Sequence, residues 1–274
     1  MDIEKLVSDW VEKIRAEYEP SSIVLFGSAL RDDEFVEEIS DFDFCVLSDK
    51  KNRCFGDENI NVIEKTKEEF RKGLEEGGLF ELAVLNFGKT VYGEALSEMF
   101  DASDYRLTEK TYQLQEQSII NQFYRALNEY FSWGYFNYLI NYVYHAIREC
   151  ARYKIIRKEE KPVDGYHNIL QKTDSDLAEK LSLAYDARKN WKDKEAGREL
   201  PKIIDENHPY GLYLKMAEDA VIETFEKIRN AKLPRINDLL SKADDVLTKE
   251  IQMGERVLVY ICRENHLIHI GFRD

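Results

Sequence analysis

The sequence predicts an α+β chain: a small mixed-sheet domain over residues 1–100, then a helical bundle over residues 101–274 that closes on a β-hairpin. Three observations carry this. Short apolar runs alternate with helical patterns up to about residue 100. Long, aromatic-rich segments at helical spacing follow. The end of the chain returns to two strand-like runs around a polar turn. With 274 residues, 43% of them hydrophobic, the chain can bury a sizeable core, and wholesale disorder is excluded.

The elements follow in order. Ile3, Leu6, Val7, Trp10, Val11 and Ile14 recur at helical spacing over residues 3–18, and Glu19-Pro20-Ser21-Ser22 ends that helix. Ile23-Val24-Leu25-Phe26 is a short buried strand that ends in Gly27-Ser28. Residues 29–40 are polar and acidic, a loop or helical turn. Phe42 to Leu47 is a second strand, and Ile60-Asn61-Val62-Ile63 a third. Thr66 and Glu69 form a capping box for a helix that Gly77-Gly78 stops. Leu79 to Leu85 is predicted as a further, central strand, and Thr90-Val91-Tyr92 as a short edge. Residues 105–131 and 133–158 are long helices, rich in Tyr and Phe that serve as bundle core. Thr173 and Asp176 resemble an N-cap before a helix to about Arg188. Residues 210–231 and 236–252 read as two more helices. A hairpin of Val257–Ile261 and Leu267–Ile270 turns near Glu264-Asn265.

Composition narrows the function. The net charge is −14, and it is unevenly placed: residues 1–100 hold 24 Asp+Glu against 12 Lys+Arg. An acidic first domain excludes a general nucleic-acid binder and a template-directed polymerase, and suits cationic partners or bound metal. No apolar run approaches a membrane span, and the charged N-terminus is not a signal peptide. Cys45, Cys54, Cys150 and Cys262 are scattered, as expected of a reduced, cytoplasmic protein without a disulfide frame or zinc site. His145, His167 and His208 are isolated and make no metal pattern.

The chemistry concentrates where Phe26-Gly27-Ser28 is followed, twelve residues later, by Asp41-Phe42-Asp43-Phe44. Two residues apart at a strand start, Asp41 and Asp43 share a face at about 6–7 Å along the strand. Carboxylates beside an apolar sheet need a partner, and a hard cation such as Mg²⁺ supplies one. Gly27 lets backbone approach a ligand closely, and Ser28 and Ser40 offer hydroxyls to phosphate oxygens. Glu81 interrupts Leu79-Phe80-Glu81-Leu82-Ala83-Val84-Leu85. In a strand beside the Asp strand it would reach the metal face as a third ligand or a general base; on an edge it would be a surface residue.

This order, Gly-Ser, a gap, then D-x-D flanked by hydrophobic residues, resembles the polymerase-β-like nucleotidyltransferases over about residues 20–95. Thr90-Val91-Tyr92-Gly93-Glu94 is similar to the strand that closes their catalytic domain. The helical half resembles, more loosely, the streptomycin/spectinomycin type of aminoglycoside adenylyltransferase, through His145-Ala146-Ile147-Arg148-Glu149-Cys150-Ala151-Arg152-Tyr153. The resemblance implies a mechanism. Asp41 and Asp43 hold Mg²⁺ on the triphosphate of ATP or another NTP, while Gly27, Ser28 and Ser40 position phosphates. Glu81, on the third core strand, acts as base and metal ligand; in kanamycin-modifying relatives the base comes from the helical half, where Glu149 is the candidate. Since the first domain is so acidic, cations for the triphosphate are sought in the second half, at Arg188, Lys189 and Lys192.

The acceptor implied is a small hydroxylated, cationic molecule such as an aminoglycoside antibiotic, with no nucleic-acid template or membrane, on a monomer or homodimer. Two other classes compete: a protein-adenylylating enzyme like the nucleotidyltransferase antitoxins, and a non-catalytic nucleotide-binding module. The bundle is also similar to the higher-eukaryote-and-prokaryote nucleotide-binding helical domains, some of them ribonucleases. Arg263 and His269 match that ribonuclease spacing, but in a predicted hairpin, and are read as coincidence.

Overall fold

The computed structural model describes residues 3–31, 34–35, 40–49, 60–190, 200–243, 245–263 and 266–273. The chain divides into two compact units: Met1–Leu114 with Glu159–Asn168, and Gln115–Lys158 with Ile169–Asp274.

The first unit is built on a four-stranded mixed sheet. Helix α1 (Ile3–Tyr18) leads to β1 (Ser22–Phe26), a 3₁₀ turn (Gly27–Leu30), β2 (Phe42–Leu47) and β3 (Ile60–Lys65). Then come α2 (Lys67–Glu75), α3 (Leu79–Phe87), β4 (Lys89–Gly93) and the single turn α4 (Leu96–Met99). The spatial order is β3-β2-β1-β4, with β2 and β3 parallel and the other pairs antiparallel. Side-chain alternation decides which helix covers which face. Ile23, Leu25, Phe42, Phe44 and Val46 pack with Val11, Ile14 and Tyr18 of α1. Val24, Cys45 and Leu47 point the other way, onto Phe70, Leu74, Leu82 and Val84 of α2 and α3. Asp43 has the parity of Cys45, so it belongs to the α2/α3 face.

Helix α2 starts where the sequence puts it: Thr66 accepts from the Glu69 N–H at 3.1 Å, and Glu69 accepts from the Thr66 N–H at 2.9 Å. The run Leu79–Leu85, expected as a strand, is instead helix α3. A short apolar run has no period that separates strand from buried helix. Here Gly78 caps the start, Glu81 falls in the first turn where the helix dipole favours an anion, and Leu and Ala are good helix formers.

The second unit is helical, with a small sheet. Its long elements are α5 (Glu109–Asn128), which begins in the first unit, and α6 (Phe136–Glu159). A π turn at Glu129–Trp133 joins them and ends on Gly134 in the left-handed region, φ 71°. The short α7 (Tyr166–Lys172) precedes α8 (Ser175–Asn190), α9 (Gly211–Arg229) and α10 (Ile236–Leu240). Tyr130, Phe131, Phe136 and Tyr144 are buried as core, whereas Trp133, Tyr135 and Tyr138 are exposed. The cap of α8 is Asp174, which accepts from the Leu177 N–H at 3.0 Å, rather than Thr173 or Asp176.

The segment expected as one helix over 236–252 splits. Only Ile236–Leu240 is helical, and Val246–Met253 is strand β5, which pairs along its length with β6 (Arg256–Arg263). Ile236, Leu239, Leu240, Ala243 and Leu247 fall three or four apart and imitate a helix. Gly254, at φ 68°, permits the tight turn that makes Met253 and Arg256 partners. With β7 (His266–Arg273) the expected hairpin is therefore a three-stranded antiparallel sheet; its turn at Glu264-Asn265 lies outside the described residues. Arg263 and His269 stand on β6 and β7. Among the described residues no helix is long and apolar enough to cross a membrane, and Cys45, Cys150 and Cys262 are buried free thiols; Cys54 lies outside them. Burial pushes the Cys45 thiol up to about 12, so it is no nucleophile.

Candidate active site

The sheet converges on the end of β1. Phe26, Asp43 and Asn61 form one rung across β1, β2 and β3. Beyond Phe26 the chain turns through Gly27 at φ 77°. A Cβ at Gly27 would lie 2.5 Å from Asp43 Oδ2, closer than atoms can approach, so glycine is what lets the turn lie against the carboxylate. The other oxygen, Oδ1, accepts from Asn61 Nδ2 at 3.0 Å. Asp43 thus accepts from strand β3, with the Gly27 turn close to its other oxygen. Asp41 precedes β2 and is exposed, with its carboxyl pKa raised by partial burial. Ser28, in the 3₁₀ turn, and Ser40 are half-buried.

We expect Gly27→Ala to lower stability by about 1–2 kcal/mol, because the positive φ is strained for a residue with a Cβ and the methyl would collide with the Asp43 carboxylate. Thermal melting checks this.

Glu81 has a different setting. It lies on α3, not on a strand, and its buried carboxylate forms an ion pair with Lys65 Nζ. Hydrogens alone at Gly73 and Gly78 make room for it, because a Cβ at either would collide with the Glu81 side chain. Lys65 pairs with Leu47 in the β2–β3 register, while Asn61 pairs with Asp43. Four residues of strand, about 13 Å, separate the two backbone positions. The premise that made Glu81 a third site carboxylate, a strand beside the Asp strand, does not hold. Its partner and burial describe a structural ion pair. With Glu81 at 7% and Lys65 at 25% side-chain exposure, Glu81→Gln should cost about 2–3 kcal/mol, somewhat less than a fully buried pair. Urea unfolding reads that loss.

The other expected residues lie in the second unit. Arg188 is buried on α8, with Nε donating to Asn141 Oδ1 at 2.8 Å and its guanidinium 5.1 Å from the Tyr144 ring. Lys189 stands over Tyr185 at 4.8 Å; Lys192 lies outside the described residues. Glu149 is buried on α6 and accepts from Arg148 and Arg152, each at 3.0 Å, and from Gln115 at 2.6 Å. Burial alone would raise its pKa, but the two guanidiniums and the amide outweigh that and hold it below the usual range. A carboxylate so engaged is a poor base. Burial, then Arg148, Arg188 and Arg152, push His145 well below its ordinary value.

Two other features are present among the described residues. Asp174, Asp176 and Glu223 converge, but Lys154 reaches Asp174 at 3.2 Å and Glu223 at 3.3 Å, and Lys180 and Lys227 pair with the same acids. This is an ion-pair network at the surface. An open groove of about 1170 Å³ is lined by α1, the 3₁₀ turn and β4, on the face opposite Asp43.

Residues 7–100 match the nucleotidyltransferase domain family. No curated protein matches the chain. Among solved structures, a nucleotidyltransferase-like protein from Exiguobacterium sibiricum 255-15 is similar at 12% identity and a TM-score of 0.36, over 90% of this chain and 82% of that one. The nucleotidyltransferase domain contains the whole rung of Phe26, Asp43 and Asn61, the Gly27 turn and Asp41. Sequence reasoning passed over one member, Asn61. Its signal was present: a polar residue inside the apolar run Ile60-Asn61-Val62-Ile63, the same cue that drew attention to Glu81.

Proposed function

We propose that this chain is a Mg²⁺-dependent nucleotidyltransferase that moves AMP from ATP to a hydroxyl of a small, cationic acceptor such as an aminoglycoside, in the cytoplasm. The observation that carries the reading is the apposition of Gly27 and Asp43, with Asp41 two residues earlier in the sequence. The Asp43 carboxylate lies against a turn that favours glycine, and a Cβ would fill the cradle. That donor set suits Mg²⁺, with Asp41 and Asp43 as its ligands. Bound there, the ion would offset the charge developing on the triphosphate. Ser28 and Ser40, with the backbone at Gly27, orient phosphate oxygens. The acceptor oxygen forms a bond to the α-phosphorus and gives up its proton to solvent, as the bond from that phosphorus to the bridging oxygen breaks and pyrophosphate leaves. Catalysis rests on alignment and charge, not on a covalent protein intermediate. Arg188 and Lys189 are the cations proposed to offset phosphate charge.

Labelled ATP, GTP, CTP and UTP, each offered with a panel of hydroxylated acceptors, test the reading through pyrophosphate release and product mass. Failure of the protein to bind any Mg·NTP sinks it. The acidity of residues 1–100 supports a cationic acceptor, because a field of that sign draws cations to the cleft. Acceptor KM should accordingly rise several-fold between about 0.05 and 0.5 M salt as the field is screened. A flat profile assigns the acidity to solubility alone.

A further inference from the structure

Residues 159–168 follow α6 in the chain, beyond the end of the matched domain at residue 100, yet they belong to the first compact unit. What they touch there is the exit of the 3₁₀ turn that carries Ser28. The Arg31 N–H donates to the Ser28 carbonyl at 3.0 Å and closes that turn. The Arg31 carbonyl accepts from the N–H groups of Glu34 and Phe35, at 2.9 and 3.1 Å. The side chains meet as well: Arg31 Nε lies 2.8 Å from Oε1 of the buried Glu34.

Residues 164–166 hold this ion pair. Asp164 Oδ2 accepts from Arg31 Nη1 at 3.3 Å, and the Tyr166 N–H donates to Glu34 Oε1 at 2.6 Å. Gly165 stands between them at φ 85°. That left-handed turn lets a side chain on one flank and a backbone N–H on the other reach the same pair. A Cβ on Gly165 would lie 3.5 Å from Glu34 Oε1 and 3.6 Å from Arg31 Cδ, so this backbone packs directly on the pair. Burying the Glu34 carboxylate is tolerable because a guanidinium and a backbone N–H both engage it, and losing either partner would be costly. A turn that receives phosphate oxygens binds best when its donors are ordered before the ligand arrives, since ordering them on binding costs affinity. Resting on the nucleotidyl-transfer reading, we infer that residues 164–166 form a clasp that fixes the Ser28 turn for the nucleotide. Asp164 is then a positioning residue, acting through Arg31 on Ser28.

The test is a double-mutant cycle of Asp164→Ala and Ser28→Ala in the full chain, with Mg·ATP affinity read by calorimetry. Asp164→Ala should weaken binding by about five-fold in the wild-type background and by about two-fold or less in Ser28→Ala, because residues that act as one unit are not additive. Asp164→Asn keeps an oxygen for the Arg31 N–H and should bind within about two-fold of the wild type. Should Asp164→Ala fail to fold, Asp164→Ser takes its place in the cycle. A clasp with a structural role alone would lower the melting temperature and leave Mg·ATP affinity unchanged. That result, equal losses in the two backgrounds, or an Asp164→Asn variant as weak as Asp164→Ala each overturns the inference while nucleotidyl transfer stands. Failure of the wild type to bind Mg·ATP overturns the transfer reading, and this inference with it.

Discussion

Asp43→Asn is expected to abolish Mg²⁺-dependent nucleotide turnover while the protein stays folded. The substitution is isosteric, so the Gly27 turn and the β2–β3 pairing survive, and a carbonyl oxygen remains to accept from Asn61. What goes is the charge. A carboxylate that holds the ion on the triphosphate contributes several kcal/mol to the transition state, so the rate should fall by about 10³-fold or more. Stability should hold or rise slightly, since Asp41 and Asp43 repel each other when no cation lies between them. Steady-state pyrophosphate release and a thermal melt on the same preparation separate the two quantities. A variant that keeps more than about a tenth of the wild-type rate would show that Asp43 does not hold the metal.

The same residue shows how much of the site was legible. Asp41, Asp43, Gly27 and Ser28 are close in sequence, and strand periodicity plus one glycine turn place them without knowledge of the rest of the fold. The capping box of Thr66 and Glu69 is equally local, and helix α2 begins where it says. Asn61 and Glu81 are not local matters. Which residue faces Asp43 depends on the parallel register Phe42↔Ile60, set by packing on both faces of the sheet. Glu81 was misplaced because seven apolar-rich residues, Leu79–Leu85, satisfy a buried strand and a buried helix equally well. Burial of Leu82 and Val84 against Phe70 and Leu74 decided for the helix. The 236–252 segment failed for a related reason: its apolar spacing suits a helix, but an intact partner strand, β6, offered a full ladder of backbone hydrogen bonds. Local chemistry was readable, whereas competition between tertiary partners was not.

Glu149 separates structure from chemistry in the helical unit. Glu149→Ala should lower the stability of that unit by about 3–5 kcal/mol, because it leaves two largely buried guanidiniums without their counter-charge. For a unit of this size the melting temperature should drop by roughly 10 °C. The carboxylate's lowered pKa gives the pH dependence. Its contribution is complete above the unfolded carboxylate pKa, near about 4.3, and fades as pH falls through the lower folded value. The stability gap between wild type and Glu149→Ala should therefore be constant from pH 8 to 6 and narrow only in acid. A general base predicts the opposite pattern, a large fall in kcat at constant melting temperature. Arg152 supplies the control: Arg152→Met on the Glu149→Met background removes the guanidinium that Glu149 faces, and should recover part of the loss, since buried pairs exchanged whole for apolar groups often cost little. If the double variant is no more stable than Glu149→Met alone, the charge on Arg152 is not what Glu149 is there to balance.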